Sequence, residues 1–207
     1  MIALIDYNAG NLTSVKKALA TIGAEVFVPD TPGDLENAAG IIVPGVGHFG
    51  ATRALGQPWI DAILARVGEG RPLFGICLGM QWLFESSDEA PELSGLGLLA
   101  GRCYRLGNPR SSPQSNPQSV KVPHVGWNSL AIQREASIVD QVANDSQVYF
   151  THSYVAPITG DTVATTEHGE AFAAVVQRGH ISGVQFHPEK SGDVGLRILR
   201  NFVELAG

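Results

Sequence analysis

Apolar residues arrive in short bursts over the first eighty positions, and the bursts alternate between two spacings. Residues 2–6 form an apolar run of β character, closed by the turn-forming Tyr7-Asn8-Ala9-Gly10. Leu12, Val15, Leu19 and Ile22 then follow at steps of three, four and three. That spacing lays them along one face of a helix over about 11–22, with Asn11 as N-cap and Gly23 as the stop. Residues 25–28 return to an extended pattern before Pro29. The cycle repeats with a strand at 41–43, a glycine-rich loop PGVGHFG at 44–50, a helix over about 58–67 and a strand at 73–76. Strands that alternate with amphipathic helices predict a parallel sheet covered on both faces, because a parallel pair needs a crossover connection.

From about residue 98 the strand candidates crowd together, at 104–106, 148–150, 163–166, 172–176 and 181–185, which predicts hairpins. Residues 108–119, NPRSSPQSNPQS, carry three prolines and no apolar period, and are expected as a mobile surface loop, an insertion without a motif. A last helix from about Ser191 presents Val194, Ile198 and Phe202 on one face. No internal repeat or domain boundary is visible. The expectation is one α/β domain over 1–207: a central, mostly parallel sheet flanked by helices, with additional antiparallel strands in the C-terminal half.

Composition narrows the function. With 44% hydrophobic and 16% charged positions among 207 residues, the chain can bury a sizeable core and is not disordered. Its 14 basic against 20 acidic side chains leave a charge of -6, without the basic footprint of nucleic-acid binding. No stretch approaches a bilayer span and the N-terminus lacks a secretory pattern, so no membrane association and a cytoplasmic location are expected. Cys77 and Cys103 are too few for a disulfide framework, so each is a core thiol or a chemical one.

Cys77 lies in Phe74-Gly75-Ile76-Cys77-Leu78-Gly79-Met80-Gln81, a strand that runs through Gly-x-Cys-x-Gly into a helix. This is the pattern of a nucleophile elbow with Cys in place of Ser, its glycines leaving room for the tight turn. The following helix would aim its N-terminal N–H groups at the thiol and favour thiolate. A buried core cysteine beside two incidental glycines fits the same letters. A thiol working at neutral pH also needs a base. His187, in GVQFHPEKS at 183–191, ends an apolar strand just before a helix, and Pro188 lets Glu189 turn back toward its ring as the third member of a triad. Alone, His-Pro-Glu is more often a surface turn. His168 and His180 lie beside glycines in turns and read as solvated; His48 follows the PGVG loop and could line a pocket. No zinc spacing, P-loop or dinucleotide fingerprint appears, so no metal or cofactor is expected. Negative charge developing on a substrate oxygen calls for backbone donors: the N–H of Leu78, and one from Pro44-Gly45-Val46-Gly47, where Val46 and Gly47 are candidates and the glycines allow a peptide to flip.

With these residues in place the sequence resembles the class I, triad-type glutamine amidotransferases, whose elbow reads G-x-C-x-G-x-Q and whose His-Glu pair reads F-H-P-E. Within that family it is similar to the glutaminase subunits of imidazole glycerol phosphate synthases of histidine biosynthesis, through IDYNAGNLTSV at 5–15, PGVGHFG at 44–50, GICLGMQ at 75–81, VPHVGWN at 122–128, YFTHSY at 149–154 and GVQFHPEKS at 183–191. The resemblance implies that Cys77 attacks the side-chain amide of glutamine to give a γ-glutamyl thioester and ammonia, that His187 moves the protons and that Glu189 orients His187. It also implies that Gln81, Gly47, Ser153 and Tyr154 hold the glutamine. The ammonia would pass to a (β/α)8-barrel synthase subunit in a one-to-one heterodimer, which forms imidazole glycerol phosphate and an aminoimidazole carboxamide ribotide. Asn8, Asn11, His124, Trp127, Tyr149 and Lys190, in family-typical loops, are the candidate interface, with Trp127 in a Gly-Trp-Asn turn either an anchor or a rim residue packed on its own domain. Three alternatives stay open: the glutaminase subunit of another amidotransferase such as anthranilate synthase, a stand-alone γ-glutamyl cysteine hydrolase, and a silent binding subunit. Uncontrolled hydrolysis would waste glutamine, so the oxyanion hole is expected not to be preformed.

Overall fold

The computed structural model describes residues 1–107 and 120–207; the Pro-rich segment 108–119 lies outside the described residues. The chain opens with strand β1 (Ile2–Leu4), helix α1 (Leu12–Thr21) and strand β2 (Val26–Phe27). Asn11 caps α1 by accepting the Ser14 N–H, and Gly23 ends it in the left-handed region at φ 76°. Strand β3 (Gly40–Val43), helix α2 (Gln57–Gly68), strand β4 (Leu73–Ile76) and the short helix α3 (Leu78–Trp82) complete the alternating half. Strands β5 (Ser86–Ser87), β6 (Arg102–Arg105), β7 (His124–Ser129), β8 (Ala131–Ile132), β9 (Gln147–His152), β10 (Tyr154–Val155), β11 (Thr162–Glu167), β12 (Ala171–Arg178) and β13 (Ile181–Val184) follow, and helix α4 (Gly192–Ala206) comes last. Among the described residues, no helix is long and apolar enough to cross a membrane.

The main sheet has the order β2-β1-β3-β4-β13-β12-β11-β8. Its first five strands are parallel, and β12, β11 and β8 extend it antiparallel. The expected hairpins are β11–β12 and β12–β13; the other late strands form two small sheets, β10-β6-β5 and β7-β9. Period-two alternation splits the core into two layers. Ile2, Leu4, Ile42, Phe74 and Ile76 point to the side of α1 and α4, while Ala3, Ile41, Val43 and Leu73 point to the side of α2 and α3. On α4, Ile198 and Phe202 are fully buried, and Phe202 stacks on Phe74 with ring centroids 5.2 Å apart.

One expectation needs correcting here. Gly126-Trp127-Asn128 is no turn but the middle of β7, paired residue for residue with β9. Its alternation is inverted: His124 points inward, whereas Val125 and Trp127 are 56% and 57% exposed. A strand that turns its apolar side chains to solvent does not announce itself by hydropathy.

Candidate active site

Strand β4 carries Cys77 to the C-terminal edge of the sheet, where the chain reverses into α3. Cys77 takes φ 52° and ψ -106°, a backbone that side chains rarely adopt and that persists only when its surroundings hold it. Both elbow glycines are required by close approach. A Cβ on Gly79 would lie 1.8 Å from the Val43 carbonyl oxygen, and one on Gly75 would lie 2.6 Å from the Gly79 backbone. The helix that follows is only five residues long, so the dipole expected to ionise the thiol contributes little.

Strand β13 lies beside β4 in parallel register, with Val184 opposite Ile76, so the two strands end side by side. Three residues on, His187 is 1% exposed. The turn at Pro188–Lys190 brings Glu189 back as expected: its Oε1 lies 2.8 Å from His187 Nδ1, and both side chains are buried. A carboxylate only accepts, so Nδ1 carries the hydrogen. The buried Nε2, otherwise without a partner among the described residues, is left to the Cys77 thiol. Burial pulls the His187 pKa down, but hydrogen bonds and charge from Cys77 and Glu189 outweigh it and raise the pKa to about 10.

Cys77 opens on a cavity of about 300 Å³, the lower end of small-molecule pockets, lined also by Gly47, Leu78, Gln81, Glu89, Thr151, His152, Ser153 and Tyr154. All four residues expected to hold glutamine are therefore together at the thiol. A larger hollow of about 840 Å³ lies elsewhere, between α4 and residues 135–142, and includes none of Cys77, His187 and Glu189. Gln81 donates through Nε2 to the Tyr154 carbonyl at 2.8 Å and to Gln185 Oε1 at 3.0 Å. Its position beneath the cavity is thus fixed from two sides.

The candidate oxyanion donors point elsewhere. The Gly45–Val46 peptide turns its carbonyl toward the Leu78 N–H, 3.4 Å away, and its own N–H donates to the Ala9 carbonyl. As seen, Val46 offers a substrate oxygen nothing, and the Leu78 donor is occupied. Gly47, at φ 96°, lines the cavity.

Three residues of the site were not singled out from the sequence. Gln185, fully buried, directs Nε2 at Cys77 Sγ at 3.5 Å. It stands two residues before His187 on extended chain, a spacing that puts both on one side, and that signal was available. Glu89 places a carboxylate in the cavity, where Oε2 accepts the Phe49 N–H at 2.6 Å; nothing local in its turn distinguishes it. His152 lines the cavity and is tied to His124. Its Nδ1 donates to the Tyr154 carbonyl (3.1 Å), so its Nε2 accepts from His124 Nδ1 (3.1 Å), leaving His124 Nε2 to accept from Asn128 (3.3 Å). Burial holds both rings well below the usual histidine pKa, His124 at about 4 and His152 at about 3.

His124 was expected at an interface, and the structure corrects this: it is 3% exposed, stacked between Phe150 and His168. The other five candidates divide. Asn8 is exposed, Asn11 spends its side chain on the α1 cap, and Trp127, Tyr149 and Lys190 converge. The Trp127 and Tyr149 rings lie 6.1 Å apart, and Lys190 Nζ sits 5.8 Å from the Tyr149 ring centre. The Tyr149 carbonyl in turn accepts the His187 N–H. His168 and His180, expected in solvent, are held by the Lys121 and Val67 carbonyls. His48 is exposed, accepts the Gly50 N–H and does not line the cavity. Cys103 is fully buried, which pushes its thiol pKa far up and makes it inert.

Comparison with known proteins gives the family and the fold. The family model described as glutamine amidotransferase class-I matches residues 3–205. The chain is 46% identical to the imidazole glycerol phosphate synthase subunit HisH of Halobacterium salinarum, over 98% of this chain and 92% of that protein. It is 45% identical to the subunit of the same name from Moorella thermoacetica, over 99% and 94%. Among solved structures, a glutamine amidotransferase superimposes over the full length of both chains with a TM-score of 0.74 at 24% identity. PurLQS from Thermotoga maritima gives 0.73 at 18% identity, over 98% of this chain and 97% of that one; both show the fold.

Proposed function

Since the chain belongs to the class I glutamine amidotransferase family, we propose that it is the glutaminase subunit of an imidazole glycerol phosphate synthase and serves histidine biosynthesis by releasing ammonia from glutamine. The observation that carries this reading is the Cys77–His187–Glu189 constellation at one edge of the sheet, facing a cavity sized for one amino acid. Cys77 attacks the amide carbon of the glutamine side chain as thiolate. His187, protonated at neutral pH, gives its Nε2 proton to the departing nitrogen, and ammonia leaves a γ-glutamyl thioester. Water, deprotonated by the same nitrogen, then releases glutamate. Glu189 holds the ring and its tautomer throughout. In the cavity Glu89 supplies the negative charge that suits an α-ammonium, while Gln81, Gly47 and the Ser153-Tyr154 segment shape the rest.

The oxyanion site is closed in the resting chain, which supports gated catalysis. Rotating the Gly45–Val46 peptide by half a turn would remove its carbonyl from Leu78 and bring the Val46 N–H beside that of Leu78, giving the two donors an oxyanion needs. The acceptor that holds Val46 back belongs to Ala9, next to exposed Asn8. A one-to-one (β/α)8-barrel partner covering Asn8 and the Val125–Trp127–Tyr149–Lys190 patch is placed to bias that rotation.

The test is glutamate release from glutamine by the chain alone, then with a cognate barrel subunit and imidazole glycerol phosphate, with Cys77→Ala as blank. Activity confined to the full mixture and absent from the blank is the expected result. Full turnover by the isolated chain would sink the gating and favour a stand-alone hydrolase; none under any condition would point to another acceptor enzyme.

A further inference from the structure

Tyr7 is a buried hydroxyl that the mechanism above does not use. It follows β1, and because β1 runs parallel to β3, residues 5–9 lie beside the loop that leaves β3 at Pro44. The side chain is 5% exposed, and its hydroxyl is shielded from solvent with no hydrogen-bond partner among the described residues. Burying such a group unpaired is costly, so its retention calls for an explanation.

Its surroundings supply one. A Cβ on Gly45 would lie 2.3 Å from the Tyr7 hydroxyl oxygen and 2.7 Å from Leu78 Cβ, so the phenol stands directly against the residue whose carbonyl blocks the oxyanion site. Burial, and after it the charge of Cys77, push the Tyr7 pKa far up, so the group remains a neutral donor close to the nucleophile. In the resting arrangement the Gly45 carbonyl is engaged by Leu78 and the Val46 N–H by Ala9, and Tyr7 is left over. After the half turn the balance changes. The Gly45 carbonyl loses Leu78 and needs a new donor in a place closed to water. Among the described residues, the other buried side-chain nitrogens and oxygens without a partner belong to Arg66, Glu170, Ser182, His187, Glu189 and Asn201, and Tyr7 is the one whose orphan atom is among the three nearest a Cβ on Gly45.

We infer that Tyr7 is a positioning residue for the oxyanion hole: its O–H, unpaired at rest, donates to the Gly45 carbonyl once the peptide has turned, and so holds the Val46 N–H on the substrate oxygen. The unpaired hydroxyl raises the energy of the resting state and its hydrogen bond lowers that of the active one, so a single group shifts the equilibrium from both ends. The absence of a side chain at Gly45 is then required by the phenol as much as by the rotation. This inference rests on the gated glutaminase reading.

The experiment is Tyr7→Phe in the complex with the barrel subunit and imidazole glycerol phosphate, beside wild type in the same assay. Wild type that is not stimulated by the ligand would refute the gated reading itself, whatever the variant does. With wild-type stimulation intact, the variant is expected to lose about tenfold in kcat, with KM for glutamine within twofold and a melting temperature equal to or above wild type. Iodoacetamide, which alkylates Cys77 without forming an oxyanion, should react with both proteins at the same rate from pH 6 to 9. A kcat within twofold of wild type would overturn the assignment. A shifted alkylation profile would do so by showing that the hydroxyl acts on the thiol, and a melting temperature several degrees lower would do so by showing that it is already paired at rest.

Discussion

A methyl group on Gly79 would sit 1.8 Å from the Val43 carbonyl oxygen, which is strand backbone and not the flexible end of a side chain. Gly79→Ala should therefore cost more than about 4 kcal/mol or abolish soluble expression. Gly97→Ala, at φ 63° with open space around it, should cost only about 1 kcal/mol, as urea unfolding of the two variants would show. For Glu189 the consequence is chemical. Glu189→Gln keeps the shape, removes the charge that helps raise His187, and offers Nδ1 an amide in place of a carboxylate. Turnover should fall by about a hundredfold or more, and the imidazole titration followed by NMR should move down from about 10. The sign for stability follows from the raised pKa: the contribution of the His187 charge is complete below about 6.5, the ordinary histidine value, and is lost as pH rises through about 10.

Strands β7 and β9 act as a unit because His124 and His152 are joined between them as neutral rings. Their depressed values mean that unfolded chain takes up two protons below about pH 6.5 that the folded pair declines until about pH 4 and 3. Stability should fall as the solution is acidified. His124→Asn, whose Nδ2 stands where Nδ1 does, retains a donor for His152 but does not titrate, so the wild-type urea midpoint should drop relative to that variant between pH 7 and 5. Parallel midpoints would mean that the pair is already protonated in the fold. The same element shows why part of the site is hard to read. Hydropathy finds strands by inward apolar residues, and β7 sends Val125 and Trp127 outward while His124 takes the inner side.

At the scale of the molecule, the exposed Val125–Trp127 pair, Tyr149 and Lys190 form one patch whose backbone reaches His187 through the Tyr149 carbonyl. An aromatic more than half exposed on a regular strand, at the edge of an active site, is the kind of residue that anchors an interface. Trp127→Ala should weaken association with the synthase partner subunit by about 30-fold, roughly 2 kcal/mol, while leaving the melting temperature of the isolated chain unchanged. Titration calorimetry and thermal unfolding separate the two effects. A matching loss of stability without loss of affinity would return Trp127 to the role of a rim residue on its own domain.

What the sequence determined by itself is whatever depends on neighbours along the chain. Alternating periods of two and near four set the order β1-α1-β2-β3-α2-β4, the glycines around Cys77 define the elbow, and His-Pro-Glu carries its carboxylate back to its own ring two residues away. Each of these is a local steric or hydrogen-bonding relation, visible in a window of about ten residues. Tertiary structure decided everything that joins distant segments: Glu89 entering the cavity, Gln185 at the sulfur, His124 moved from surface to interior, and the Gly45–Val46 peptide turned away from the substrate. Strand pairing brings positions 7, 45, 77 and 187 to one sheet edge, and the direction of a single peptide is set by which carbonyl and which N–H happen to meet there. No residue identity changes when that peptide turns, so only the packed chain holds the information.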